Sequence, residues 1–140
     1  MTDEELLELA AKAAGWTWWR SKHGYWNLTS PEGNEHTACQ NWSAYDPYTG
    51  AKLTEPTAAN ALREIGFDPE NDDGDALRLA IKLRMRIATP TTDTDCAIAG
   101  CGDVRGVHVK AYSEDEITDI YAATRRAITR AAAEIGKGMI

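Results

Sequence analysis

Several features that would assign a function directly are missing from this sequence of 140 residues. No apolar run approaches the roughly 20 residues of a membrane-spanning helix. The start of the chain carries Asp3, Glu4 and Glu5 instead of the basic residues of a signal peptide. With a net charge of −7, the chain also lacks the basic face with which a protein coats nucleic acid. We therefore expect a cytoplasmic protein that binds neither a membrane nor a nucleic-acid lattice.

Catalytic and cofactor motifs are missing as well. The sequence contains no Gly-x-Ser-x-Gly segment, phosphate-binding loop, dinucleotide fingerprint or zinc deaminase signature. Its three cysteines, Cys39, Cys96 and Cys101, are an odd number in a chain without an export signal, which favours free thiols. We therefore predict a non-catalytic protein with no cofactor.

Two groups of side chains are candidate metal ligands. In the acidic segment 68–74, the spacing of an EF-hand loop puts calcium ligands at Pro69 and Ala80, which cannot ligate. Imidazole and thiolate groups at zinc-like spacings come from five residues: His36, Cys39, Cys96, Cys101 and His108. A buried cysteine, however, often serves as a small apolar residue. Helix capping and packing explain both groups more simply, and we predict no metal site.

Capping signals predict four helices. The first begins at a capping box in residues 2–5 and ends at Gly15, and the second covers 57–65 before Gly66. Asp72 and its acidic neighbours are typical of the start of a third helix over 75–84. In that helix the i,i+4 pairs Ala76/Ala80 and Leu77/Ile81 are expected to face a core.

The fourth predicted helix follows a capping box at 113–116. Its apolar face is expected to comprise Ile117, Ile120, Tyr121, Thr124, Ile128, Ala131 and Ile135. Arg125, Arg126 and Arg130 fall outside this stripe, so we expect them in solvent.

Aromatic and β-branched residues predict strands between the helices. Segments 16–20 and 25–28 favour a hairpin, 29–56 is mostly loop because of its prolines and glycines, and 85–88, 96–99 and 106–110 are further strand candidates. Helices at both ends of a strand-rich centre indicate an α+β class. We predict a single domain over 1–140, a compact sandwich of a short, largely antiparallel sheet covered by helices.

Three segments of the predicted helices, 72–83, 123–128 and 131–136, resemble small uncharacterised proteins of tailed bacteriophages and prophages. Many of these proteins are similar to the phage α-β-α (ABA) sandwich domain family. The resemblance covers the N-terminal helix, the tryptophan-rich segment after it and roughly residues 68–136. It implies a phage origin, a compact sandwich, no assigned enzymatic activity and an accessory role against host defence.

Tryptophans are concentrated near the first predicted hairpin. Four of the five lie within eleven positions, and Trp42 follows in the loop. Packing is the simplest role for most of them. Alternation along the strand 16–20 places Trp16 and Trp18 on one face and Trp19 on the other. We therefore expect Trp19 and Trp42 to be exposed.

An exposed aromatic ring beside arginine suits a nucleobase with its phosphates, because the ring stacks while the guanidinium binds oxygen. We expect ligand contacts from Trp19, Trp42 and Arg105 and phosphate contacts from Arg125 and Arg126. Arg78 is a further candidate that can also bridge to the acids around it. The leading hypothesis is a phage accessory protein that binds and sequesters a nucleotide-derived immune signal of the host.

Two alternatives remain open. The first is an inhibitor that occupies a host defence protein with an acidic face resembling nucleic acid. The second is a phosphodiesterase that cleaves a nucleotide signal. In each case we expect a homo-oligomer, since one short sheet can bury only a small part of the aromatic surface of this chain.

Overall fold

The computed structural model describes residues 1–22, 25–38, 48, 57–88, 98–101, 109–112 and 120–139. Within these ranges lie the helices α1 (Asp3–Ala14), α2 (Ala58–Glu64), α3 (Asp73–Lys82) and α4 (Ile120–Lys137). The strands in the same ranges are β1 (Thr17–Arg20), β2 (Trp26–Thr29), β3 (Glu35–Ala38), β4 (Arg86–Ala88), β5 (Ile98–Cys101) and β6 (Val109–Tyr112). The predicted α+β class is confirmed.

The strands form two antiparallel sheets, β1-β2-β3 and β4-β5-β6, where the sequence suggested one. The predicted first hairpin is confirmed, with Trp18 opposite Leu28. Strand β3 lies in a segment predicted to be mostly loop, and that prediction was wrong there. Its sequence, Glu-His-Thr-Ala, has no alternation of large apolar residues, and pairing with β2 supplies the order that local sequence does not.

Helix starts follow the predicted capping chemistry. In α1 the Thr2 hydroxyl accepts from the Glu5 amide at 3.1 Å, and the Glu5 carboxylate accepts from the Thr2 amide at 2.9 Å. At α3 the Asp72 carboxylate accepts from the Asp75 amide at 2.8 Å. Both arrangements satisfy amides that have no partner inside the helix. The capping box predicted at 113–116 lies outside the described residues.

Small side chains dominate the contact between α1 and α4. The buried residues of these helices include Leu7, Ala10, Ala11, Ala131 and Ala132. At the far end of the contact, a Cβ placed on Gly136 would overlap the carbonyl oxygen of Leu9. The two helices therefore touch backbone to backbone, and dispersion between closely spaced main chains replaces the packing of large side chains.

On α3, the predicted core pairs were half right. Ala76 and Ala80 are buried, together with Leu79. Leu77 and Ile81, however, are 55% and 65% exposed. Helix α3 buries only a narrow stripe of its surface. Leu77 and Ile81 each follow a buried alanine by one residue, which is about 100° round the helix, and they therefore face outward.

On α4, the predicted apolar stripe was wrong at its first turn, where Ile120 and Tyr121 are exposed. Helix α1 packs against the later turns of α4. This contact begins at Arg126, which lies 3.8 Å from Asp3, and continues to Gly136, which meets Leu9. The prediction that Arg125 is in solvent was also wrong, since its side chain is 17% exposed. In the described ranges, none of the helices has the length and apolar composition needed to cross a bilayer.

Candidate ligand-binding cleft

A cleft of about 330 Å³ lies where the end of α1, the β2–β3 turn and helix α3 meet. Its apolar wall includes Trp16, Pro31, Phe67 and Leu79. Its polar rim consists of Glu32, Asp75, Arg78 and Lys82. The cleft thus combines an aromatic surface with two cations and two carboxylates.

The two aromatic rings of the cleft are placed by the same local device. Gly15 and Gly66 adopt left-handed φ values of 101° and 102° after α1 and α2. The next amide in each case bonds back five residues, from Trp16 to Ala11 at 3.0 Å and from Phe67 to Leu62 at 2.8 Å. This is the Schellman arrangement, which turns the chain and lets the residue after the glycine pack inward.

The rings meet in the wall of the cleft. The centroids of Trp16 and Phe67 lie 5.9 Å apart, with the ring planes tilted by 50°. Trp16 also lies 5.9 Å from the ring of His36 on β3. Tilted contacts at this separation are a favoured aromatic geometry. The pair therefore forms a stable apolar wall against which a further flat ring can pack.

Asp75 organises the polar side. One carboxylate oxygen accepts from the Asp68 amide at 2.9 Å, and the other accepts from the Arg78 guanidinium at 2.5 Å. The Asp75 side chain is nearly buried, whereas that of Arg78 is largely exposed. The hydrogen bond to Asp75 raises the pKa of Arg78, which stays cationic. Arg78 thus bridges to an acid, as the sequence suggested, and it also lines the cleft.

Lys82 and Glu32 complete the rim. Lys82 lies one helical turn after Arg78, so both cations share a face of α3. Glu32 lies in the turn between β2 and β3. Within the described part of the chain, neither Lys82 nor Glu32 forms an ion pair. Their charges are therefore available to a ligand.

The remaining predicted site residues lie elsewhere. Trp19 is exposed, as predicted, but it is on the face of β1 opposite Trp18 and does not line the cleft. Trp42 and Arg105 fall outside the described residues. Of the six predicted ligand contacts, the structure therefore places one, Arg78, in the cleft.

Arg125 and Arg126 belong to a second polar cluster, where α4 meets the starts of α1 and α3. Arg125 donates to the Glu70 carbonyl at 2.9 Å and to the Asp73 carboxylate at 2.6 Å. Arg126 lies 3.8 Å from the Asp3 carboxylate. Burial raises the pKa of Glu70, and the nearby Asp3 raises it further, while Arg126 opposes the rise. Arg125 therefore links α4 to α3, and Arg126 links α4 to α1.

Sequence reasoning missed Trp16, Phe67 and Lys82 as cleft residues. The signal was present, because both aromatics directly follow a helix-ending glycine. Among the described residues, no group of three or more histidine, cysteine and acidic side chains could hold a metal ion. Cys39, Cys96 and His108 lie outside that part of the chain.

Comparisons with family models, curated proteins and solved structures found no match to this chain. The geometry of the cleft is therefore the basis for assigning a function.

Proposed function

We propose that this protein binds, without transforming it, a small molecule that carries a flat ring and an anionic group. The observation that carries the proposal is the pairing of Trp16 and Phe67 with Arg78 and Lys82 in one cleft. A flat ring packs on the aromatic wall while the two cations bind the anion. A nucleotide has both parts.

The volume of the cleft limits the ligand. About 330 Å³ is near the lower end of the roughly 300–1,000 Å³ typical of small-molecule sites. A single nucleotide unit suits this space, and a larger signal molecule would insert one of its units. We therefore expect a mononucleotide, or one end of a dinucleotide, to bind.

The chemistry of the rim favours binding over catalysis. Both oxygens of Asp75 already accept hydrogen bonds, from the Asp68 amide and the Arg78 guanidinium, so this carboxylate has a structural role in holding the rim together. Among the described residues that line the cleft, none is a serine, cysteine or histidine. A nucleophile with an adjacent base is thus missing from that lining.

The phage resemblance extends the proposal to a biological setting. A cytoplasmic protein that holds a nucleotide in such a cleft and returns it unchanged would remove a nucleotide-derived immune signal of the host. The resemblance of segments 72–83, 123–128 and 131–136 to phage proteins supports this setting, and the cleft supports the ligand class.

Isothermal titration calorimetry with a panel of mononucleotides, cyclic dinucleotides and ADP-ribose tests the proposal. We expect one of these to bind and to return chemically unchanged after the complex is heated. Lys82→Ala should weaken binding about tenfold, equivalent to about 1.4 kcal/mol. Lys82 is the better probe, because Arg78→Ala also removes the partner of Asp75.

Lys137→Ala is the matched control, since Lys137 is a partly exposed lysine in the last turn of α4, away from the cleft. Binding that survives Lys82→Ala unchanged would remove the cleft as the site. Recovery of a cleaved nucleotide would show an enzyme instead.

The acidic-face inhibitor has one observation in its favour. The starts of α1 and α3 lie at the same end of the molecule, and Glu4, Glu5 and Asp72 there are exposed. Arg125 and Arg126 offset part of that charge. A nuclease bound by the wild type and released by Glu4→Lys would support this second function.

A further inference from the structure

The outer face of the first sheet carries two exposed aromatic side chains. The register places Trp19 opposite Asn27, and Asn27 opposite Thr37, so these three residues share one face. Tyr25 directly precedes β2, and the Ser21 amide donates to its carbonyl at 2.8 Å, so the pairing of the two strands continues to Tyr25 and alternation places it on the side of Asn27. Trp18, Leu28 and His36 alternate to the inner face, where Leu28 is fully buried.

Both aromatics remain in solvent. Trp19 is 62% exposed and Tyr25 is 45% exposed. Adjacent strands bring such diagonal neighbours to about 7–8 Å of each other. Two large rings are therefore presented on one face of a sheet whose opposite side contributes Leu28 to the core.

The polar groups beside the rings are neutral, and two of them are hydrogen-bonded to each other. The Thr37 hydroxyl donates to the Asn27 amide oxygen at 3.2 Å. This bond uses the amide oxygen and leaves the two N–H groups of the Asn27 side chain as donors. Thr17 and Thr29, which are paired across β1 and β2, lie on the same face.

The charge of the face selects the class of ligand. Of its residues on the three strands, only Glu35 at one corner is charged. Arg20 alternates to the other side of β1, where its guanidinium lies 5.8 Å from the centroid of the Trp26 ring. A phosphate-bearing polymer would meet no cation from these strands, and it would approach a chain of net charge −7.

We propose that this face binds an uncharged glycan, with one sugar ring on Trp19 and the next near Tyr25. A pyranose ring presents an apolar C–H face and a rim of hydroxyl groups. The C–H face packs against the electron-rich face of the indole. The hydroxyl rim exchanges hydrogen bonds with Asn27 and Thr37. The proposal is independent of the cleft, whose lining does not include these residues.

Affinity electrophoresis of the intact protein in gels containing a neutral glucan, xylan, mannan or N-acetylglucosamine oligomer tests the proposal. We expect one of these glycans to slow the wild type. Trp19→Ala should weaken that interaction at least tenfold, and Tyr25→Ala should weaken it less. Tyr121→Ala, which removes an exposed aromatic from α4, should leave it unchanged.

Folding is checked for each variant by its melting curve, and Trp19→Phe, which keeps a ring, should retain part of the binding. Migration unaffected by every neutral glycan would overturn the proposal, as would equal retardation of wild type and Trp19→Ala. Retardation by heparin alone, abolished by salt, would assign the face to an anionic ligand. A concentration-dependent mass in light scattering that Trp19→Ala abolishes would make it a contact between two copies of the chain.

Discussion

Replacement of Gly136 by alanine tests the closest contact in the fold. A Cβ at this position would overlap the Leu9 carbonyl oxygen and lie 2.8 Å from the Leu9 carbonyl carbon. Carbon atoms in contact normally lie about 3.5–4.0 Å apart. Because the opposing atoms are backbone, α1 and α4 must separate by roughly 1 Å to admit one methyl group.

The magnitude follows from two opposing effects. Overpacking in a filled interior costs typically about 1–3 kcal/mol, and a clash with main chain belongs at the upper end of that range. Alanine in a helix is favoured over glycine by about 1 kcal/mol. We therefore expect Gly136→Ala to lower the free energy of unfolding by about 2 kcal/mol. For a domain of this size that lowers Tm by about 6 °C.

Thermal and urea unfolding, followed by circular dichroism, measure this change. Gly74→Ala is the matched control, since the nearest atoms to a Cβ there belong to side chains and not to backbone: the Asp72 carboxylate at 3.1 Å and the Arg78 guanidinium at 3.3 Å. We expect Gly74→Ala to be neutral or slightly stabilising. If Gly136→Ala matches or exceeds the stability of the wild type, helix propensity dominates and the close approach of α1 and α4 is refuted.

Four further predictions concern the helix junctions and metal dependence. Arg125→Ala should cost about 1–2 kcal/mol in urea unfolding, because it removes bonds to the Glu70 carbonyl and to Asp73; an unchanged midpoint would contradict this. Burial raises the folded-state pKa of Glu70 above 4.5, so its ionisation lowers stability as pH rises through that range. Glu70→Gln should therefore raise Tm at pH 7 and lose this advantage below pH 4.5, and equal melting curves at both pH values would refute the burial effect. Asp72→Ala should lower stability by about 1 kcal/mol, whereas Asp72→Ser, which can still cap, should not. Chelator should leave Tm unchanged; a large drop would reveal a structural metal.

The sequence by itself determined the local elements near the start of α1 and α3. Thr2 caps through Glu5, and Asp72 caps through Asp75, as predicted, because each bond spans three residues. The alternation that exposes Trp19 was also local, since successive strand residues point to opposite faces. Interactions of this kind depend on a few neighbouring residues, which the order of amino acids specifies directly.

Contacts between distant segments decided the rest. Strand β3 exists through its pairing with β2, and Leu77 is exposed because α3 presents a different stripe to its neighbours. Arg125 is largely buried because it donates hydrogen bonds to Glu70 and Asp73, which lie more than fifty positions earlier in the chain. The cleft likewise joins Trp16 to Phe67 and Lys82. Local patterns specify each helix end but carry no information on which ends meet, because that depends on how the whole chain buries its apolar surface.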